Sequence, residues 1–258
     1  MSGEIRIYPL LTGEADINTD LDMFWSLSKE KVVVTVPILA YLVKTRDGPV
    51  LVDTGFRSAS RAMEVHKLGP HRWKPEWDIR SQLERFGVKP GDVKYVILTH
   101  LHYDHAGRCS DFPNASFVVQ RKELKEAAAP ISPPNFEVGG KALFYDRLDV
   151  QALVGDLWDR VVLLDGDEEI VNGVRCVLLE DSHTPGSQVV YVETDKGIAV
   201  ILGDVARKVE LNIERRIPPA LYYDLRSMQE ALARIKREGK IFLPAHDYEV
   251  YHRYSEGI

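Results

Sequence analysis

Cysteine is scarce in this chain: Cys109 and Cys176 are the only two among 258 residues. A disulfide framework is therefore excluded, and stability has to come from a packed core. A basic excess is also missing, since the formal net charge is -6. That argues against a nucleic-acid partner, which needs cationic surface to neutralise phosphates. No long apolar run opens the sequence, and Met1–Arg6 reads as neither a signal peptide nor a membrane span. The cytoplasm is the expected location, and no membrane partner is expected. Internal repeats and linkers are absent too, so one domain over residues 1–258 is expected. What is present is ordinary for a soluble globular protein, with 45% hydrophobic and 28% charged residues, enough for a core of useful size.

Arg6–Leu11 reads as a short strand and Thr12–Asp22 as a polar loop. Lys31–Val43 is rich in β-branched residues and reads as one long or two short strands, with Pro37 at a bend or an edge. Arg46–Pro49 is a turn, after which Val50-Leu51-Val52 resumes the strand and ends at Asp53-Thr54-Gly55. Ser58–His66, Trp77–Phe86 and Arg121–Ala129 are helix-like, and Gly87 and Pro130 stop the last two. Residues 130–157 hold Pro133-Pro134 and Gly139-Gly140 and read as an insertion; its apolar segments could serve a homodimer contact. Arg160–Leu164, Val174–Leu179, Gln188–Glu193, Ile198–Leu202 and Ile241–Leu243 are strands. Asp224–Glu238 is an amphipathic helix. This order suggests two packed sheets with helices on their outer faces.

One stretch dominates the chemistry. Tyr95-Val96-Ile97-Leu98 reads as a buried strand, and it runs into His100, His102, Asp104 and His105. Imidazoles and carboxylates at this density suit zinc or a similar divalent ion. Cys109 follows closely, but the spacing is already filled without it. Three later residues lie in polar turns next to strands: His183 in Ser182–Gly186, Asp204 after Ile201–Gly203, and His246 after Leu243–Ala245. The set of five His and two Asp is enough for two ions that share a bridging carboxylate, which permits two-metal hydrolysis.

The segment from His100 to His105 resembles the His-x-His-x-Asp-His signature of the metallo-β-lactamase superfamily. Asp53-Thr54-Gly55, His183-Thr184-Pro185-Gly186, Gly203-Asp204 and His246 are similar to its remaining motifs, in the same order. The resemblance spans nearly the whole chain. It implies an α+β fold, an αββα four-layer sandwich of two mixed sheets with helices on the outer faces. It also implies a dinuclear site at one edge, with His100, His102 and His183 on one ion, Asp104, His105 and His246 on the other, and Asp204 bridging. Asp53 would orient a ligand imidazole, or else simply bond to its own turn. Zinc is the default ion, and iron, manganese or cobalt would fit the same mixed ligands.

Within the superfamily, Val50–Gly55, His100–Gly107 and Val118–Glu123 look most like the N-acyl homoserine lactonases. A Tyr often found three residues after the bridging Asp in that group is Arg207 here. Arg207 is either a fork for a carboxylate or phosphate or a solvated surface charge. The expected reaction is metal-assisted opening of a lactone: coordination lowers the pKa of water to about 7, and the resulting hydroxide attacks the ester carbonyl. Asp104 would pass a proton to the leaving alkoxide, and Arg207 or a tyrosine would support the oxyanion. Phe24 and Trp25 plug the core or wall the cleft of a small-molecule substrate, and Tyr222 and Tyr223 either line that cleft or pack one in the core and one at the surface. Another ester, thioester or phosphoester hydrolase acting on an anionic substrate is the alternative within enzymes. A non-catalytic metal-binding module is the alternative outside them; a metal stoichiometry near one without turnover would mark it.

Overall fold

The computed structural model describes residues 5–19, 32–130 and 144–258. Seven strands form the first sheet: β1 (Arg6–Asn18), β2 (Val33–Thr45), β3 (Gly48–Val52), β4 (His71–Arg72), β5 (Tyr95–Ile97), β6 (Ser116–Gln120) and β7 (Val161–Leu164). Their order across the sheet is β4-β1-β2-β3-β5-β6-β7. Five form the second: β8 (Glu168–Val171), β9 (Val174–Leu178), β10 (Gln188–Thr194), β11 (Gly197–Gly203) and β12 (Ile241–Pro244), in the order β12-β11-β10-β9-β8. Both sheets are mixed. The pairs β3–β5, β5–β6, β6–β7 and β11–β12 are parallel, and the others are antiparallel.

Side-chain alternation explains why the sheets stack. Along β2, Leu39, Tyr41 and Val43 point into a core shared with Val174, Cys176, Val190, Val192, Ala199 and Ile201 of the second sheet. Their neighbours Ala40 and Leu42 point the other way, onto a layer of helices. That layer contains α2 (Ile79–Glu84), which follows α1 (Ala59–Glu64), together with α3 (Arg121–Ala128) and α4 (Arg147–Val154). Ile79, Leu83, Leu124, Val150 and Leu153 are their buried contributions. On the far side, α5 (Leu225–Glu238) lays Met228, Ala231, Leu232 and Ile235 against Val177, Val189, Val200 and Leu202. The result is a four-layer αββα sandwich. A last helix, α6 (Tyr248–Arg253), follows β12. Among the described residues, no helix is long and apolar enough to cross a membrane.

Two local points differ from the sequence reading. β1 does not stop at Leu11 but pairs with β2 through Asn18, where a loop is expected from the sequence. Glu14, Asp16 and Asn18 are poor strand formers. Here they alternate with Ala15 and Ile17, and the Arg72 guanidinium bonds to both oxygens of Asp16, at 2.7 and 2.6 Å. Pro37, as expected, takes an edge position: it lies opposite Glu14 of β1 on the stretch of β2 that β3, pairing from Tyr41 onward, leaves open. Finally, β8 and α6 both form in segments with no strong periodicity. The expected insertion at 130–157 lies partly outside the described residues; within it, α4 is capped by the Asp146 side chain.

Every strand of the first sheet precedes every strand of the second, so the chain crosses between them once, at Asp165-Gly166-Asp167. Gln120 clamps that crossing: its amide donates to the Gly166 carbonyl at 2.8 Å and accepts the Gly166 N–H at 3.1 Å.

Candidate metal centre

Strand ends build the site. The parallel pair β3–β5 brings Asp53 and Thr99–His100 to one edge, and the parallel pair β11–β12 brings Asp204 and His246 to the same edge. Loops at the carboxyl ends of parallel strands are where such folds carry their chemistry. Two backbone ladders fix the loops to each other. Thr54 N–H donates to the His105 carbonyl at 2.7 Å and Gly107 N–H to the Gly55 carbonyl at 2.8 Å. The approach requires glycine: a Cβ on Gly107 would lie 2.3 Å from the Arg57 nitrogen.

Three groups of ligand-type atoms converge there: His100 with His102 and His183, His100 with His105 and Asp204, and Asp104 with His105 and His246. Within each group the atoms lie within 4.8 Å of one another. Asp204 occupies the middle. Its Oδ1 is 3.0 Å from His246 Nε2 and 3.3 Å from His105 Nε2, while its Oδ2 is 3.9 Å from His183 Nε2. His102 Nδ1 and His183 Nε2 stand 3.2 Å apart, a spacing that suits a proton or a cation shared between two ring nitrogens.

The outward ring nitrogens are already committed. His105 Nδ1 bonds Asp53 Oδ2 at 2.8 Å, His246 Nδ1 bonds the Pro37 carbonyl at 2.8 Å, and His183 Nδ1 bonds the Leu221 carbonyl at 3.1 Å. Each bond leaves Nε2 facing the centre. His100 Nε2, His105 Nε2, His246 Nε2 and Asp204 Oδ1 are buried with no hydrogen-bond partner. Buried polar atoms are nearly always paired, so four orphans aimed at one point fit a bound cation. The donor set, imidazole and carboxylate, is that of zinc and its neighbours.

Electrostatics divides these donors. Burial, reinforced by the neighbouring imidazoles, pushes His100 and His102 well below the ordinary histidine value, leaving them neutral as ligands must be. His183 is lowered as well, mainly by burial. Around His105, burial opposes protonation, but Asp104, Asp53 and Asp204 outweigh it and hold its pKa well above normal. Burial likewise opposes ionisation of Asp204, and His246 and His105 overcome it.

A cavity of about 270 Å³ opens onto this centre. Its polar lining is His102, Asp104, Asp204, Arg207 and His246 together with Asp16, Asn18 and His71, and its apolar lining includes Val36, Leu68, Tyr103, Phe144 and Leu221. Arg207 is not a solvated surface charge. It is 5% exposed, and its Nη1 donates to Asp204 Oδ2 at 3.0 Å. Tyr222 packs against the α5 side of the second sheet, and Tyr223 is 48% exposed; neither lines this cavity. Phe24 and Trp25 lie outside the described residues.

Sequence reasoning passed over two groups. Tyr103 is a wall of the cavity, and its hydroxyl is 2.7 Å from Nε2 of His71, whose Nδ1 is 2.8 Å from the Gly69 carbonyl. The sequence signal was its place inside the His cluster. Glu123, fully buried, bonds to the backbone between His100 and His102.

Known proteins resemble this arrangement closely. Residues 33–246 match the family described as the metallo-beta-lactamase superfamily. The N-acyl homoserine lactonase AiiA of Bacillus thuringiensis subsp. kurstaki is 29% identical over 227 residues, covering 84% of each chain. A solved mutant of B. thuringiensis AiiA, with N-decanoyl-L-homoserine bound at its active site, superposes with a TM-score of 0.76 at 25% identity, covering 98% of this chain and 97% of that one. An N-acyl homoserine lactone hydrolase, solved with the product N-hexanoyl-L-homoserine at its catalytic metal center, gives 0.74 at 26% identity, with the same coverage. With the family match running across most of both sheets and through the last ligand-type histidine, this chain belongs to the metallo-beta-lactamase superfamily.

Proposed function

We propose that this protein is a metal-dependent hydrolase that opens lactones of the N-acyl homoserine lactone type, with two zinc ions resident in one catalytic domain. The observation that carries the reading is the convergence of four orphaned ligand atoms beside a cavity with both polar and apolar lining. The names of the relatives support the substrate class. His100, His102 and His183 would hold one ion, and Asp104, His105 and His246 the other, with Asp204 between them. When bound, such ions supply Lewis acidity and a water acidified to a pKa of about 7.

The chain's own residues supply the rest. The apolar lining takes an acyl chain and excludes water, while the lactone ring faces the ligand side chains. Arg207 lines the same cavity and puts a permanent cation beside them, where the developing oxyanion gathers charge. Asp104 also lines the cavity and is partly accessible, so its carboxyl is placed to hold a proton and return it to the leaving alkoxide.

The burial of Arg207 favours a second reading, an ester or phosphoester carrying a negative charge. A hydrolysis screen of zinc-reconstituted protein across lactones, esters, thioesters, lactams and phosphoesters separates the two. Fastest turnover on acylated lactones is expected. Turnover of phosphoesters or charged esters with none on lactones would reject the lactonase reading.

A further inference from the structure

Beyond the ligands, two buried carboxylates reach into the site's framework, and they reach different parts of it. Asp53 bonds His105 Nδ1 and accepts the Thr99 N–H and hydroxyl, each at 2.8 Å, and that hydroxyl lies 3.1 Å from His100 Nδ1, so Asp53 touches both ligand groups. Glu123 makes no hydrogen bond to His105, Asp104 or His246 or to their backbone. It stands in the first turn of α3, is fully buried, and accepts four hydrogen bonds, two on each oxygen. Oε1 takes the Leu101 N–H at 2.9 Å and the Tyr145 hydroxyl at 3.2 Å. Oε2 takes the Thr184 hydroxyl at 2.6 Å and the Gly186 N–H at 3.1 Å.

These partners are not scattered. Leu101 lies between His100 and His102, and Thr184 follows His183. One carboxylate therefore ties together the two loops that carry the first three-histidine group. A close backbone contact reinforces the tie: a Cβ on Gly186 would lie 2.2 Å from the Glu123 nitrogen and 2.6 Å from its Cα. Tyr145 joins the same network, and it also bridges to His102 through the backbone.

We infer that Glu123 is a positioning residue for one ion only, setting the spacing of His100, His102 and His183, whereas Asp53 reaches both groups. The inference rests on the two-metal reading of the site and not on the choice of substrate. A glutamine at 123 keeps the volume but has one acceptor oxygen instead of two. Its amide group would face either the Leu101 or the Gly186 N–H, and a backbone donor cannot rotate away. Losing an outer partner of this kind lowers metal affinity about 10- to 100-fold.

The test is zinc binding by the full chain, read by chelator competition and by metal content after dialysis, with the remaining ion located by anomalous scattering. In Glu123→Gln, one ion should weaken by about 10- to 100-fold and the other should stay within about threefold of wild type. The retained ion should sit with Asp104, His105 and His246. Thr184→Val removes one of the four donors without touching the carboxylate. It should give a smaller loss at the same position, and it carries the test if the glutamine variant does not fold. Equal weakening of both ions, or wild-type binding of both in the two variants, would overturn the inference while leaving the two-metal reading intact. A wild-type protein that binds no zinc would overturn both.

Discussion

Replacing Asp53 by Asn removes one charge while leaving shape and backbone almost untouched. Asp53 has φ of 61°, a left-handed conformation that Asn adopts as readily as Asp. As a carboxylate it accepts three bonds, from the Thr99 N–H, the Thr99 hydroxyl and His105 Nδ1–H. An Asn has one oxygen and one amide. If the oxygen keeps the Thr99 N–H, the amide hydrogens point at His105 Nδ1. The imidazole then relieves the clash by moving its own hydrogen to Nε2, the atom that faces the centre. A hydrogen bond to a charged group is worth about 1.5–3 kcal/mol. Its loss, expressed at the His105 side, corresponds to about 10- to 100-fold in metal affinity. Chelator competition with zinc should show this drop, largest at the ion beside His105, with turnover falling in parallel. Binding of both zinc ions by Asp53→Asn with wild-type affinity would refute the orienting role.

Other perturbations probe separate parts of the molecule. Arg207→Ala should reduce kcat/KM on charged esters about tenfold more than on neutral lactones, as expected when a charge-assisted contact is lost; equal losses would reject anion binding by Arg207. Burial raises the Asp149 carboxyl to about 7, against the pull of Arg57. Because the folded value lies above the unfolded one, the folded state holds the extra proton and stability falls as pH rises from about 4 to 7. Asp149→Asn should flatten that slope in thermal melts taken across the range, and an unchanged slope would discount the buried acid. Gly107→Ala forces a Cβ to within 2.3 Å of a backbone nitrogen and should cost about 1–3 kcal/mol, visible as a lower melting temperature; an unshifted melt would mean that the two loops part freely.

How much of this was legible beforehand depended on how local each signal is. His100, His102, Asp104 and His105 are neighbours in sequence, so their pattern needs no fold to be read. His183, Asp204 and His246 each follow a strand, and a β-branched run followed by a polar turn is a local signal too. Arg207 was ambiguous because burial is a tertiary property; an Arg three residues after an Asp looks the same in a surface loop. Tyr222 and Tyr223 were ambiguous in the same way: aromatic type fits a wall as well as one core and one surface position, and the turn after Leu221 sets one ring against the α5 layer and leaves the other about half exposed. In sequence, Glu123 stands out only as part of the Val118–Glu123 segment and of a helix-like run, Arg121–Ala129, that is rich in charge and gives no local sign of burial. Only the docking of the Thr184–Gly186 loop makes that position an interior one. The extension of β1 was hidden in the same way, since its strand character comes from pairing and not from residue type.

The single crossing between the sheets has a further consequence. The ligand-type residues are divided by it: His100, His102, Asp104 and His105 belong to the first sheet's portion, and His183, Asp204 and His246 to the second's. The second portion aims His183 through its own Leu221 carbonyl but cannot aim His246, because the carbonyl that fixes His246 belongs to Pro37, and the Tyr41 hydroxyl and Leu39 N–H also hold the backbone at Pro244 and Ala245. A chain cut at Asp165–Asp167 would give two fragments, each with an incomplete set of donors. Catalysis would then report whether the fragments had found each other in register, which makes this turn a natural place to build a complementation sensor from the protein.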